Sequence, residues 1–198
     1  MIEFHKNVKK VLPYDRQLYR EFWNDEIDLP TEWNGVSIQL PGASEGKVGS
    51  LTEFVEAYEN LFKNVVLKLD SGSSWIVNHD DIDLDWFPND EDNLTTLRIL
   101  FKQNNIPNAF RGALILRKDD LLKFSGELIS YPSAVFNQEG FYYKSLDISH
   151  GELPFIIKIY GRFSIDLQST NKQLLREMVN ENSSSLLIIK EFTRTSLW

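Results

Sequence analysis

The chain contains no cysteine among its 198 residues. Disulfide bonds, thiolate metal sites and cysteine-based catalysis are therefore excluded. A sequence without cysteine is typical of a reducing compartment, so the expected location is the cytoplasm. The first residues, 1–6, contain no apolar run of the length that a signal peptide needs, which agrees with this expectation.

Long apolar runs and an excess of positive charge are also missing. No window reaches about 18 uninterrupted apolar residues, so a membrane span is not expected. The chain has 29 acidic and 21 basic residues and a net charge of −8. Because phosphate groups are bound by clustered Lys and Arg, neither nucleic acid nor an anionic membrane is an expected partner. A basic protein partner remains compatible with this charge.

What the sequence does contain is enough apolar material for a core, with 42% hydrophobic residues. Helical spacing of apolar residues predicts helices over 14–24, 51–63, 94–103, 118–130 and 171–179. Alternating or β-branched segments predict strands over 33–40, 65–69, 74–78, 110–116, 142–148, 155–160, 163–167 and 184–192. Since helices and strands mix without strict alternation, we predict one α+β domain over residues 1–198, with a mixed or antiparallel sheet and several short packing helices.

Several boundaries follow from local signals. Ser50 and Glu53 form a capping box at the start of the second helix, and residues 71–73 resemble a hairpin turn before the strand at 74–78. The pair Tyr131-Pro132 is expected to end the helix over 118–130. The last strand is apolar on both faces, which predicts a central place in the sheet.

The most distinctive chemical feature is an acidic stretch. Its acids are Asp70, Asp80, Asp81, Asp83, Asp85, Asp90, Glu91 and Asp92, and no Lys or Arg interrupts them. The remainder of the chain has 21 acids and 21 bases, so the whole net charge lies in this stretch.

This stretch predicts a docking surface for a basic partner. If residues 81–86 are extended, three aspartates face one way while Ile82, Leu84 and Trp86 face the other. The predicted partner-binding residues are Asp80, Asp81, Asp83, Asp85, Trp86, Asp90, Glu91 and Asp92. Two alternatives stay open: the acids form a solvated edge strand that resists aggregation, and the aromatic residues belong to the core.

Motifs for metal, cofactor or catalytic chemistry are weak. A calcium loop starting at Asp81 fails, because Trp86 stands where the turn needs glycine. The three histidines are predicted to lie at the surface. No nucleophile elbow accompanies them, and the glycine-rich residues 42–49 do not match a phosphate-binding loop. No cofactor is expected, although paired carboxylates for hydrolysis are identified only by geometry.

The favoured hypothesis is therefore a binding protein that neutralises a basic protein. Its most concrete form is a bacterial immunity protein that occludes a toxin domain, such as a nuclease, because carboxylates mimic the phosphates that a nuclease binds. Two other hypotheses remain: a hydrolase that uses carboxylates or a divalent metal near residues 80–92, and an adaptor or regulatory domain without a toxin.

Overall fold

A computed structural model describes residues 2–21, 32–42, 50–79, 84–88, 94–135, 145–161, 163–183, 187–192 and 197–198. Its strands are β1 (Glu3–His5), β2 (Asn34–Gln39), β3 (Trp75–His79), β4 (Ala113–Leu116), β5 (Ser145–His150), β6 (Phe155–Tyr160), β7 (Ser164–Ser169) and β8 (Ile188–Glu191). Within the described residues, these eight strands form one sheet in the order β1-β4-β3-β5-β6-β7-β2-β8. Every neighbouring pair is antiparallel.

The helices are α1 (Arg16–Glu21), α2 (Leu51–Lys68), α3 (Thr95–Gln103), α4 (Lys118–Lys123), α5 (Ser125–Ala134) and α6 (Lys172–Asn182), with a 3₁₀ turn at Val8–Lys10. The α+β class is therefore confirmed. In the part of the chain that the structure describes, no helix is long and apolar enough to cross a membrane.

The sheet has two chemically different faces, because side chains alternate along each strand. The face toward α2, α5 and α6, here called the helix face, is apolar. One register row crosses six strands there and consists of Leu114, Val77, Ile148, Ile157, Leu167 and Val36. Burial of such side chains contributes about 1.5–3 kcal/mol each and forms the main core.

The opposite side, here called the polar face, is covered by residues near the N-terminus. Tyr19 and Trp33 pack against Ile156 of β6. Val8 packs against Ile76 and other residues of the same side. A face that the sequence presents as polar is therefore buried as well.

In the second half of α2, the helical spacing of apolar residues determines the structure, although the β-branched residues there favour a strand. The capping box of α2 is present, with Ser50 N–H donating to Glu53 Oε2 at 2.7 Å. The helix continues to Lys68, so the predicted strand over 65–69 is wrong. Val65 and Val66 lie on the buried helical stripe that begins at Phe54, and core packing offsets the small helix penalty of β-branched residues. Residues 71–73 therefore join a helix to β3 and do not form a hairpin.

Two further boundaries are corrected. The helix predicted over 118–130 is divided at Phe124 into α4 and α5, and α5 passes Pro132 to end at Ala134. Proline has no backbone N–H and loses one helical hydrogen bond, but its φ is close to the helical value. The helix can therefore continue for about half a turn after Pro132. The last strand, β8, is not central: it pairs with β2 at the edge of the sheet, and most of its described residues are exposed.

Candidate functional site

Six of the eight predicted partner-binding residues lie outside the described residues: Asp80, Asp81, Asp83, Asp90, Glu91 and Asp92. Most residues of the calcium loop that was considered from Asp81 onward also lie outside the described residues. The structure therefore places two of the eight, Asp85 and Trp86.

The carboxylate of Asp85 forms an ion pair with a base that follows later in the sequence. Its Oδ1 accepts a hydrogen bond from Nε of Arg111 at 2.5 Å, and 22% of the Asp85 side chain is exposed. Asp70 is likewise paired with Lys118, and this hydrogen bond holds the pKa of Asp70 below its usual value. Both described acids of the stretch are thus partly neutralised in space, although no base interrupts the stretch in sequence.

Trp86 belongs to the core. Its side chain is 0% exposed, and its indole N–H donates to the carbonyl of Gly112 at 3.0 Å. The ring packs against Tyr131 and Phe101. This corrects the expectation that Trp86 anchors a partner, since a fully buried ring offers no surface to another protein.

Two of the histidines are also corrected from surface to core. His79 and His150 are each 1% exposed. Burial lowers the pKa of His79 to about 3, so its ring is neutral at physiological pH. A residue in this state packs with its neighbours and does not serve as a base that exchanges protons with solvent.

His150 uses both ring nitrogens to satisfy backbone groups. Its Nδ1 accepts from the N–H groups of Glu152 and Leu153 at 3.1 and 3.0 Å. The proton therefore sits on Nε2, which lies 3.1 Å from the carbonyl of Leu69. Burial lowers the pKa of His150, and the ring ties the β5–β6 turn to the end of α2.

The polar face carries a register row that sequence reasoning missed. This polar row consists of Asn78, Asp147, Lys158, Asp166 and Ser37, one from each of five adjacent strands. Exposure ranges only from 1% to 9% along the row. The alternation of Asp147 with Leu146 and Ile148 predicts that β5 has one polar face. The alignment of this residue with polar residues of other strands depends on strand pairing, which the local sequence does not determine.

The polar row contains one base, Lys158, and two acids, Asp147 and Asp166. Nζ of Lys158 lies 3.2 Å from Oδ1 of Asp147 and 3.4 Å from the hydroxyl of Tyr19 above it. Burial raises the pKa of Asp166 to about 6, against the opposing effects of hydrogen bonds from Tyr160 and Ser37 and of the Lys158 charge. The side chains of this ion pair are buried and present no charge to solvent.

The described residues include no group of three or more His, Asp or Glu side chains arranged to hold a metal ion. In the polar row, Lys158 pairs in register with both Asp147 and Asp166, and its ammonium lies 3.2 Å from Oδ1 of Asp147. A cation on either carboxylate would face that charge.

A surface groove lies between α2 and the C-terminal end of α6, with a volume of about 710 Å³. Its apolar part comprises Leu40, Pro41, Ala57, Leu61 and Leu187. The charged residues among its described lining are Glu53, Glu56 and Glu181, all of them acids. We call this feature the acidic groove. Sequence reasoning missed it, because its walls come from four separate segments.

The acids of the acidic groove differ in how firmly they are held. Glu53 is fixed by the capping box of α2. Glu181 pairs with Lys68, which also lies 3.6 Å from Glu177. Glu56 is exposed on the outer surface of α2. All three carboxylates are exposed; Glu53 is ordered by the capping box, and Glu181 shares Lys68 with Glu177.

Comparison of the chain with protein-family models, with curated proteins and with solved structures finds no match.

Proposed function

We propose that the protein binds a basic protein partner and acts by covering part of that partner's surface. The observation that supports this proposal is the acidic groove. Its described lining contains apolar side chains, and its charged residues are all glutamates. In a chain with a net charge of −8, such a groove attracts a segment that combines Lys or Arg with apolar side chains. Complementary charge accelerates encounter and fixes orientation.

The most concrete form of the proposal is a bacterial immunity protein that acts in the cytoplasm on a toxin domain. The acids of residues 80–92 would add long-range attraction, and the acidic groove would add contact area. If the toxin is a nuclease, carboxylates would occupy the sites of its phosphate contacts. The net charge of −8 and the apolar and acidic lining of the groove support this form of the proposal.

The test is capture of partners from the native organism, followed by binding kinetics with the purified partner. The first variant combines Glu56→Gln with Glu181→Gln, and the second replaces Asp80, Asp81 and Asp83 by Asn. The control combines Glu3→Gln with Glu152→Gln, two exposed acids on other parts of the molecule. This control removes as much charge as the first variant.

We expect the wild type and the control to capture a basic protein, with an association rate that falls as salt increases. The Debye length shrinks from about 30 Å at 0.01 M to about 10 Å at 0.1 M salt. At least one of the two test variants should associate several-fold more slowly, because rim charges act mainly on the association rate. Capture without a basic protein, or rates that neither salt nor any variant changes, would refute the proposal.

A further inference from the structure

The inference concerns the shape of the partner segment, and it rests on the proposed function. We infer that the acidic groove takes an amphipathic helix of the basic partner, laid along α2 with its apolar stripe against Ala57 and the partly exposed Leu40 and Leu187. Lys or Arg side chains on both flanks of that stripe would meet Glu56 on one rim and Glu181 on the other.

The length of the wall fits a helix. Helix α2 contributes Glu53, Glu56, Ala57, Asn60, Leu61 and Asn64 to the lining. These positions recur every three or four residues and form one continuous stripe. From Glu53 to Asn64 the stripe extends over about 17 Å, at about 1.5 Å per residue. A partner helix of about three turns covers this length.

An extended partner segment fits less well, because strand addition depends on main-chain hydrogen bonds to an open sheet edge. The long wall of the acidic groove is the side of a helix, whose backbone groups bond within α2. An extended segment there would leave its own N–H and C=O groups without backbone partners. A helix satisfies these groups internally and presents side chains alone.

The apolar lining outside α2 comes from strand ends. Leu40 and Pro41 follow β2, and Leu187 precedes β8. Leu40, Ala57 and Leu187 are partly exposed, so apolar surface remains available for a second apolar stripe. Apolar anchors spaced three and four residues apart are the usual way in which a helix occupies a groove of this kind.

The probe for the test is a synthetic peptide of about 14 residues with Leu at positions 3, 6, 7, 10 and 14 and Lys on both flanks. One control peptide has the same composition in scrambled order, and another has Glu in place of Lys. The blocking variants are Ala57→Arg, which fills the apolar floor with a positive charge, and Asn60→Arg, at an exposed lining position. Gln173→Arg places the same group at an exposed site in the first turns of α6, outside the lining.

We expect the Leu/Lys peptide to bind the wild-type protein and Gln173→Arg with equal affinity and to become helical on binding. Both control peptides should bind at least tenfold more weakly. Each blocking variant that keeps the wild-type unfolding midpoint should lose at least tenfold in affinity for the Leu/Lys peptide. Asn60→Arg keeps the test decisive if Ala57→Arg fails to fold.

Equal binding of the scrambled peptide, or blocking variants without effect, would overturn the inference. So would a wild-type groove that takes no peptide, the result expected if a segment of this chain occupies it. Binding of the captured basic partner to the same variants distinguishes failure of this inference from failure of the proposed function. If partner binding is lost with the Asp80, Asp81 and Asp83 replacements but not with Asn60→Arg, the partner docks elsewhere and the proposed function stands.

Discussion

At the scale of single residues, the imidazole of His79 is held neutral by its surroundings. Its ring lies 4.8 Å from that of Trp86 and 5.3 Å from that of Tyr131, measured between centroids. The hydroxyl of Tyr131 donates to the carbonyl of Trp86, so its oxygen accepts from Nε2 of His79 at 3.2 Å. This arrangement places the ring proton on Nε2 and leaves no solvent to stabilise a second proton.

Acidification should therefore destabilise the fold through His79. Its folded pKa of about 3 lies below the unfolded value of about 6.5, so between these values only the unfolded state binds the extra proton. The stability that depends on neutral His79 is complete above pH 6.5 and is lost toward pH 3, by about 1.4 kcal/mol per pH unit. In His79→Gln, the unfolding free energy measured with denaturant should fall less between pH 7 and pH 5 than in the wild type.

The matched control is His5→Gln, which removes a histidine near the N-terminus that is only partly buried. Its pH dependence should parallel that of the wild type more closely than the dependence of His79→Gln does. His79→Gln is expected to be less stable at pH 7, because ring packing is lost. The test therefore compares how steeply the unfolding free energy changes with pH, and not its value at pH 7. Equal slopes for His79→Gln and the wild type would contradict the assignment.

At the scale of elements, helix α3 is capped from outside its own segment. The residue at its N-cap is Leu94, whose side chain makes no capping hydrogen bond. Glu127 of α5 takes over this role. Its two carboxylate oxygens accept from the N–H groups of Thr96 and Leu97 at 3.0 and 2.8 Å.

Loss of this cap should destabilise the protein measurably. Glu127→Ala leaves two N–H groups of the first turn without their acceptor and removes a negative charge from the helix N-terminus, which should cost about 1–2 kcal/mol of unfolding free energy. Glu127→Gln keeps one acceptor oxygen and should lose less. Denaturant unfolding measures both. Glu56→Ala, an exposed acid on α2, should change stability by less than about 0.5 kcal/mol; if Glu127→Ala behaves in the same way, the cap carries no net stability.

Elements were predictable from sequence where one local signal acted alone. The capping box marked the start of α2, and the predicted helix over 51–63 lies within it, with Phe54, Tyr58 and Phe62 in the core. Prediction failed where two signals competed. Val65 and Val66 suggested a strand, but their spacing continued a helix. The apolar pair Ile188 and Ile189 suggested a central strand, yet β8 lies at the edge.

At the scale of the whole molecule, the sequence sufficed for the α+β class and for the overall charge, because both depend on composition and local pattern. The candidate site could not be predicted in the same way. Trp86 changed from an expected surface anchor to a core residue, and the acidic groove appeared where residues distant in sequence meet. The acids Asp80, Asp81 and Asp83 remain a prediction, since they lie outside the described residues.

Across the whole sheet, the polar row makes stability depend on pH in the opposite sense to His79. The folded pKa of Asp166, about 6, lies above its ordinary value of 3.8 because burial penalises the carboxylate. Between these values the native state binds the extra proton, so stability falls as pH rises from about 4 to about 6, by about 1.4 kcal/mol per pH unit. Above pH 6 Asp166 is ionised in both states, and its carboxylate is less favourable in the native protein, where it is buried, than in the unfolded chain.

Asp166→Asn should remove this fall. Asn retains the shape of Asp and can still accept hydrogen bonds from Ser37 and Tyr160, and Asp147 remains as the ion partner of Lys158 at 3.2 Å. We therefore expect the unfolding free energy of Asp166→Asn, relative to the wild type, to rise between pH 4.5 and pH 7.5, with Glu152→Gln as an exposed control that shows no such rise. Because His79 is present in all three proteins, its contribution cancels in the difference. Parallel curves for Asp166→Asn and the wild type would mean that the row accommodates the ionised carboxylate without loss, through Lys158, and that burial of Asp166 does not limit the stability of the sheet.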